Sequence, residues 1–440
     1  MNQSPLSQKQ LLQALQLDAF NEMQQTMHAA CAKHSSLMLI APTGSGKTLG
    51  FLVPLLASIN PELKAVQCLI LTPSRELAMQ IFEVWKQMKT PYKATVCYGG
   101  HSFDQEVNKF KEPPYLLIGT PGRVLDHIQK ESFVTTSIQT LILDEMDKLL
   151  SLGFEDEMQS IVFSLPALQQ RVLVSATNIA TLPPFIDMDV VQLIDFTHLA
   201  KEGGAFQLHQ VACEAKDKLS SLYKLLVHLP AKPSIIFANH RASIDRIADY
   251  LKEQGIAAIA FHGGMEQKER DIAMAKFTNG SAPYLIATDL AARGLDIEAI
   301  HQIVHYQMPI DEATFVHRNG RTARMFASGD AYILVGPEET LPAFIDSSIS
   351  NFEFKKHSPK ETAIAYTTLL IEGGKKDKIS KGDIAGFLMQ KGNLKKEEIG
   401  LIIVKDIYSF VAIQSDKIYE AFTLLMHQKL KTKKCYIKII

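Results

Sequence analysis

Short apolar runs recur through the first two hundred residues, each followed by a longer amphipathic stretch. Leu37 to Ile40, Cys68 to Leu71, Ala94 to Cys97, Tyr115 to Ile118, Leu141 to Leu143 and Arg171 to Ser175 read as strands. Strands this apolar leave no face for water, so helices between them imply a parallel sheet covered on both sides. The pattern restarts near Gln207, with strands expected at Ser234 to Phe237, Ala257 to Phe261, Tyr284 to Ala287, His301 to Tyr306 and Ala331 to Leu334. Ile244 to Lys252 and Glu266 to Phe277 are amphipathic segments between them. Gly203-Gly204, after Phe196 to Leu199, marks the expected hinge between two α/β domains. A third block follows His357-Ser358-Pro359. It orders strand (Thr367 to Ile371), helix (Gly382 to Met389), strand (Ile399 to Val404), strand (Ser409 to Ile413), helix (Asp416 to Leu430) and strand (Cys435 to Ile439). This βαββαβ plan often binds RNA.

Charge changes this picture only locally. The 440 residues net -1, which excludes a global field drawing the protein onto nucleic acid. Residues 361–440, however, hold 14 Lys, no Arg and 9 acidic residues, a net of +5 that leaves -6 for the rest. A basic terminal module reads as a polyanion tether or as ordinary surface lysine. The five cysteines (Cys31, Cys68, Cys97, Cys213, Cys435) lack metal-binding spacing and fit a reduced compartment, with Cys31 and Cys68 expected as core thiols. No signal-like start and no apolar run of membrane-spanning length is present, so a soluble, cytoplasmic, monomeric protein is expected.

The chemistry begins at Ala41-Pro42-Thr43-Gly44-Ser45-Gly46-Lys47-Thr48, which follows a strand and opens a helix. Glycines let backbone N–H groups curl around phosphate oxygens, and the helix N-terminus adds favourable dipole charge. Lys47 would reach the β and γ phosphates and the Thr48 hydroxyl would ligate Mg2+. About a hundred residues on, behind Leu141-Ile142-Leu143, stand Asp144-Glu145-Met146-Asp147. Asp144 is expected to hold Mg2+ through water, and Glu145 to orient or deprotonate the attacking water. Asp147 is expected to bond Ser175 or Thr177 and link hydrolysis to movement. The competing reading is that the acids cap a helix starting at Met146 or Lys148. Ser175-Ala176-Thr177 would likewise cap a helix running through Leu182.

In this order the motifs resemble those of the DEAD-box RNA helicases of superfamily 2, with Met146 where alanine is usual. The resemblance covers residues 11–350 and implies α/β architecture of two tandem RecA-like P-loop domains, placed at 1–200 and 208–350. It implies that Gln24, 23 residues before Lys47, reads adenine. Residues 20–24 depart from the usual motif, and the family's adenine-stacking aromatic has no counterpart, so weaker ATP-over-GTP selectivity is expected. Pro73-Ser74-Arg75-Glu76-Leu77, Gly99-Gly100 and Thr120-Pro121-Gly122-Arg123 resemble motifs that grip one RNA strand, which places Pro73, Arg75, Gly100, Thr120 and Arg123 on its backbone. Phe237-Ala238-Asn239, with Gln267 and Arg270, resembles the next RNA-contact elements. In Thr288 to Asp296, Thr288 would touch RNA and Asp296 would face ATP. His317 to Arg324 resembles the last motif, in which Arg321 and Arg324 would reach the γ phosphate as arginine fingers. Arg318 reads either as part of that set or as a solvated helix residue.

Gly373-Gly374-Lys375-Lys376-Asp377-Lys378, then Gly382-Asp383-Ile384, Ile399-Gly400 and Phe410-Val411-Ala412, follow in an order by which residues 361–440 resemble the RNA-binding domain of DbpA-type helicases, so an RRM-like third domain is expected, with Lys375, Lys376 and Lys378 on RNA. That likeness implies attachment to a 23S rRNA hairpin and work on large-subunit (50S) precursors. Independently, Tyr408 and Phe410 share a strand face and would either stack bases or pack beneath helices. Lys-Thr-Lys-Lys at 431–434, where Lys-Gly-Arg-Lys is frequent, gives up arginine's rigid fork. The leading expectation is an ATP hydrolase and RNA helicase that uses ATP and Mg2+ and unwinds short duplexes. The alternatives are an RNA–protein remodelling or clamping ATPase, a non-enzymatic RNA tether, and a DNA helicase.

Overall fold

A computed structural model describes residues 6–42, 44–100, 102–179, 181–186, 191–200, 206–292, 300–320, 329–345, 349–354, 364–431 and 433–440. These residues form two compact units, one ending at Ala200 and one running from Phe206 to Ile440. The expected hinge glycines, Gly203 and Gly204, lie outside the described residues.

The first unit is a seven-stranded parallel sheet between helices. Its strands are β1 (Ser36–Ile40), β2 (Cys68–Leu71), β3 (Ala94–Cys97), β4 (Leu116–Gly119), β5 (Thr140–Leu143), β6 (Gln170–Ser175) and β7 (Gln192–Asp195). They lie in the order β3-β4-β2-β5-β6-β1-β7. Successive side chains leave a strand on opposite faces, and both faces are dry. Cys68 and Ile70 join Met23, Phe51 and Trp85 in one apolar layer, while Leu69 and Leu71 join Met146, Leu149 and Ile161 in the other. Each such fully buried side chain stabilises the fold by about 1.5–3 kcal/mol. Strand β7 was not expected, because only Ile194 of its four residues is buried. Of the two expected core thiols, Cys68 is buried and Cys31 lies half-buried at the core margin; burial pushes both up to about 12.

The second unit opens with another parallel sheet: β8 (Phe206–Ala212), β9 (Ser234–Phe237), β10 (Ala258–Phe261), β11 (Tyr284–Ala287), β12 (Gln302–His305), β13 (Gly329–Val335) and β14 (Ser350–Asn351). The order is β10-β11-β9-β12-β13-β8-β14. A four-stranded antiparallel sheet follows, from β15 (Tyr366–Ile371), β16 (Ile399–Val404), β17 (Ser409–Gln414) and, beyond the hairpin β18 (Lys429–Leu430) and β19 (Lys433–Lys434), β20 (Ile437–Ile439). Its order is β16-β17-β15-β20, and the helices Lys381–Lys391 and Ile418–Leu425 cover one face over Leu369, Ile371, Val411 and Ile413. The last helix stops at Leu425 rather than Leu430, because Lys429 and Leu430 turn back to pair with Lys434 and Lys433.

The other face of this small sheet is also covered. Leu370 and Phe410 pack on Ile272 and Ala275 of the helix Gln267–Thr278, which belongs to the preceding parallel sheet. Tyr408 Oη donates to Asp271 at 2.6 Å, Asn279 Nδ2 donates to Thr368 Oγ1 at 2.9 Å, and Thr368 Oγ1 donates to Ser281 at 2.8 Å. Lys405 pairs with Asp271 at 3.3 Å and Lys268 with Glu372 at 3.5 Å. Phe410 is 0% exposed, so base stacking on it is overturned. It packs beneath a helix, and that helix comes from outside the βαββαβ module.

Candidate active site

The first sheet brings three loops together because β5, β6 and β1 are neighbours. Ala41 N donates to Ser175 O at 3.2 Å, which joins the phosphate loop to the Ser-Ala-Thr segment. Gly46 has φ +86, a conformation that favours glycine, and a Cβ there would lie 2.6 Å from Gln24 Nε2. Gln24 is buried and caps its own helix: Asn21 N donates to Gln24 Oε1 at 3.0 Å, and Gln24 N to Asn21 Oδ1 at 2.9 Å. Its Nε2 donates to Gly46 O at 3.2 Å, while Asn21 Nδ2 donates to Ser45 O at 3.0 Å. Gln24 and Asn21 therefore brace the phosphate loop, a role for Asn21 that the motif reading did not include. Lys47 Nζ donates to the carbonyls of Ala41 at 2.7 Å and Pro42 at 3.0 Å. Ser45 is buried, Thr48 half-buried and Gly44 exposed; Thr43 lies outside the described residues.

Asp144 is 4% exposed. Burial, followed by the neighbouring Glu145 charge, pushes its carboxyl up to about 7 against the pull of the Lys47 ammonium. Glu145 N donates to Asp144 Oδ1 at 2.9 Å, and Glu145 itself is left-handed, with φ 49 and ψ 52. It makes no side-chain cap bond to the helix Met146–Ser151, so helix capping does not account for the acids. Thr177 Oγ1 donates to Asp147 Oδ2 at 3.3 Å, whereas Ser175 Oγ turns to Thr177 O at 2.7 Å. Among the described residues between Thr177 and the short turn at Pro184–Ile186 there is no helix. Glu145 Oε2 is buried with no hydrogen-bond partner among the described residues. A buried Asp144 carboxyl beside the unpartnered, buried Oε2 of half-buried Glu145, at the foot of a phosphate loop, fits a hard, oxygen-preferring cation such as Mg2+.

The strands on the other half of the same edge, β3, β4 and β2, carry the residues assigned to RNA. Arg75 opens the helix Arg75–Gln87 after the buried Pro73, capped by Ser74 accepting from Leu77 N at 3.2 Å. The Arg75 guanidinium lies against Gly100, whose φ is +100; a Cβ there would sit 2.5 Å from Arg75 Nη1. Thr120 begins the helix Pro121–Gln129, and one turn in, Arg123 Nε donates to Glu106 Oε2 at 2.7 Å. Arg123 also lies 4.9 Å over the Phe103 ring, which stacks on His127 at 4.3 Å, and His127 Nε2 meets Glu106 Oε2 at 2.9 Å. Burial alone would raise the Glu106 carboxyl; bonds from His127 and Arg123 and the Arg123 charge hold it below its ordinary value. Cys97, Glu106 and His127 place potential metal ligands within 4.8 Å of one another, but the Arg123 cation already occupies that carboxylate. The sequence reading missed Glu106 and His127. The available signal was Phe103, Glu106 and Phe110 falling on one side of a helix, which puts a carboxylate on a face that turns inward.

In the second parallel sheet, Arg318 is 2% exposed and is no solvated helix residue. Its Nε and Nη2 grip Asp289 at 2.6 and 2.8 Å, Nη2 also reaches Asn239 at 2.7 Å, and Nη1 donates to Gln307 O at 2.8 Å. One guanidinium thus ties together the loops after β9, β11 and β12. Thr288 Oγ1 accepts from Ala291 N at 3.3 Å. Gln267 Nε2 donates to Asp271 at 3.4 Å. Arg270 is buried, with its guanidinium 4.7 Å over the Phe261 ring. Asp296, Arg321 and Arg324 lie outside the described residues.

On the terminal module, Lys375, Lys376 and Lys378 are exposed. The first two anchor their backbone N–H groups on Lys405 O at 2.8 Å and Asp406 O at 2.9 Å. Lys433 pairs with Asp377 at 2.7 Å and Lys431 with Asp383 at 2.8 Å, which stitches the 375–383 segment to the β18–β19 hairpin. The bond from Lys431 holds the half-buried Asp383 carboxyl down at about 2.

Among the described residues no helix is long and apolar enough to cross a membrane. Residues 21–183 match the DEAD/DEAH box helicase family, 217–326 the helicase conserved C-terminal domain, and 368–439 the DbpA RNA binding domain. The chain is 34% identical over 415 residues to the ATP-dependent RNA helicase DbpA of Escherichia coli, covering 91% of this chain and 90% of that one. It is 30% identical to the Bacillus subtilis protein of the same name, covering 96% of each. Among solved structures, S. cerevisiae Dbp5 bound to RNA and ADP BeF3 superposes with a TM-score of 0.67 at 27% identity, over 76% of this chain and 88% of that one. With phosphate-loop and acidic residues on one half of a RecA-like sheet edge and a DbpA-type module behind, the chain belongs to the DEAD-box ATP-dependent RNA helicases, in their DbpA-like group.

Proposed function

We propose that the chain couples ATP hydrolysis to the opening of short duplexes in 23S rRNA during assembly of the large ribosomal subunit. The observation that carries this reading is the division of the first sheet's carboxyl edge. Strands β5, β6 and β1 present Asp144, Glu145, Asp147, Thr177 and Lys47, while the adjacent β2, β4 and β3 present Arg75, Thr120, Arg123 and Gly100. Strands held in one hydrogen-bonded sheet give a direct route by which a change at the phosphate is felt at RNA. The choice of ribosomal RNA rests on the DbpA relatives and on the exposed Lys375, Lys376 and Lys378.

In this mechanism the phosphate loop and Lys47 orient the triphosphate, and Glu145 orients the attacking water and takes its proton. Thr48 and Asp144 would hold Mg2+, which supplies neutralisation of charge on the phosphate oxygens when bound. Loss of the γ phosphate is relayed through Asp147 and Thr177. Arg321 and Arg324 are the proposed partners of the γ phosphate in the transition state. Phosphate release measured with no RNA, with a large-subunit rRNA hairpin and with a random-sequence duplex tests the proposal. Strong stimulation by the hairpin is expected. Equal rates in all three would overturn coupling, and equal stimulation by both RNAs would overturn the ribosomal assignment.

A further inference from the structure

We propose that Lys434, Tyr436 and Lys438 form a base-stacking strip for unpaired RNA on the outer edge of the C-terminal sheet. This deepens the RNA-binding reading above and rests on it.

From residue 434 to 438 burial alternates strictly: Lys434, Tyr436 and Lys438 are exposed, whereas Cys435 and Ile437 are buried in the module's core. Strand β20 and the pairing that Tyr436 O continues with Glu372 N put Tyr436 and Lys438 on one face, and Lys434, at the end of the β18–β19 hairpin, adds an exposed ammonium two residues before the ring. Register identifies the face. Ile371 pairs with Ile437 and Leu370 with Lys438, and Glu372 N donates to Tyr436 O at 2.8 Å. Opposed residues in an antiparallel pair point the same way, so the strip shares its face with Leu370 and Phe410.

That face is an aromatic-bearing sheet of the kind that receives bases in RNA-binding modules. Its centre is closed here by the helix Gln267–Thr278, which buries Phe410 and binds Tyr408 through Asp271. The cover reaches this edge only past the end of β20, where Ile440 packs with Ala275, Leu370 and Phe410, while Tyr436 keeps 61% of its surface exposed. What remains open is therefore an aromatic ring between two ammonium groups, the combination that stacks a base and attracts its flanking phosphates. The acidic neighbour Glu372 has its carboxylate 3.5 Å from Lys268, a residue of the covering helix, which blunts its repulsion of phosphate. A protein partner would equally use an exposed tyrosine, but lysines on both sides favour a polyanion.

The test uses the full chain and the large-subunit rRNA hairpin carrying 5-iodouridine in its unpaired loop. Irradiation should crosslink RNA to Tyr436, located by mass spectrometry. Y436A should raise the RNA concentration giving half-maximal ATPase about tenfold, within the range for losing one base–aromatic stack. The plateau rate at saturating RNA should hold, and Y436F should restore parental affinity because it keeps the ring. Unchanged RNA affinity in Y436A, loss of the plateau instead of the affinity, or crosslinks confined to other residues would each overturn the strip. Failure of the hairpin to stimulate the parental ATPase would instead strike the ribosomal helicase reading itself, so the two failures are distinguishable.

Discussion

Arg318 makes four short hydrogen bonds from a site with almost no solvent, two to Asp289 and one each to Asn239 and Gln307. Arg318→Met keeps the length and apolar stem but removes every donor. Breaking a buried ion pair from one side costs about 3–5 kcal/mol, and Asp289, with 22% of its side chain exposed, recovers some water and pulls the figure toward about 3. The orphaned Asn239 and Gln307 oxygens add about 1 kcal/mol each, giving about 5 kcal/mol in all. Arg318→Lys keeps the charge on Asp289 but replaces a five-donor fork by one nitrogen, so about 2 kcal/mol is expected. The only tryptophan, Trp85, lies in the first unit, and a chain of two units has no single unfolding free energy. Peptide-resolved hydrogen exchange across β9, β11 and β12 in low denaturant isolates the relevant opening. A methionine variant within about 1 kcal/mol of the parent, or a lysine variant costlier than methionine, would refute the view that this guanidinium holds the three loops together.

Two further outcomes follow from the same geometry. Glu145→Gln should keep ATP and RNA binding while slowing phosphate release by about 10²–10³, the loss typical of removing one charge-stabilising group; single-turnover hydrolysis near the parental rate would remove Glu145 from its role. His305 is pushed down to about 3, first by burial and then by the Arg318 charge, against an ordinary 6.5. It is thus neutral when folded, and its contribution is complete above pH 6.5 and lost as pH falls toward 3, about 5 kcal/mol over the whole window. His305→Asn should flatten that acid limb in hydrogen exchange of β12, and an unchanged limb would sink the assignment.

The legible parts of this chain were those where one residue type has one physical use. Strands β2, β4 and β5 are apolar on both faces, so their sequence admits little else, and the glycine loop and acidic tetrad follow at strand ends. Strand β7 escaped because an edge strand with one buried residue carries no hydrophobic pattern. The end of the last helix escaped because Leu430, apolar and in phase, is buried by a hairpin instead. Among site residues, Asp147 found Thr177 as one of two expected partners. The burial of Arg270 and Arg318 was not legible locally, since their partners, Phe261 for one and Asp289 with Asn239 for the other, come from other strands and the loops after them. Nothing local to Phe410 announces that a helix over a hundred residues earlier will cover it.

Glu145 sits in left-handed backbone at the corner between β5 and its helix, where a residue with a Cβ costs roughly 1–2 kcal/mol. Glycine would relieve that cost, and asparagine part of it. A library of this enzyme enriched for heat resistance alone would therefore drift toward Gly or Asn at position 145 and, on the role proposed for Glu145, yield sturdier proteins that turn over ATP slowly. Thermostabilising campaigns on this scaffold need an activity screen at every round, because the corner that carries the proposed catalytic carboxylate is also a place where stability is easily gained.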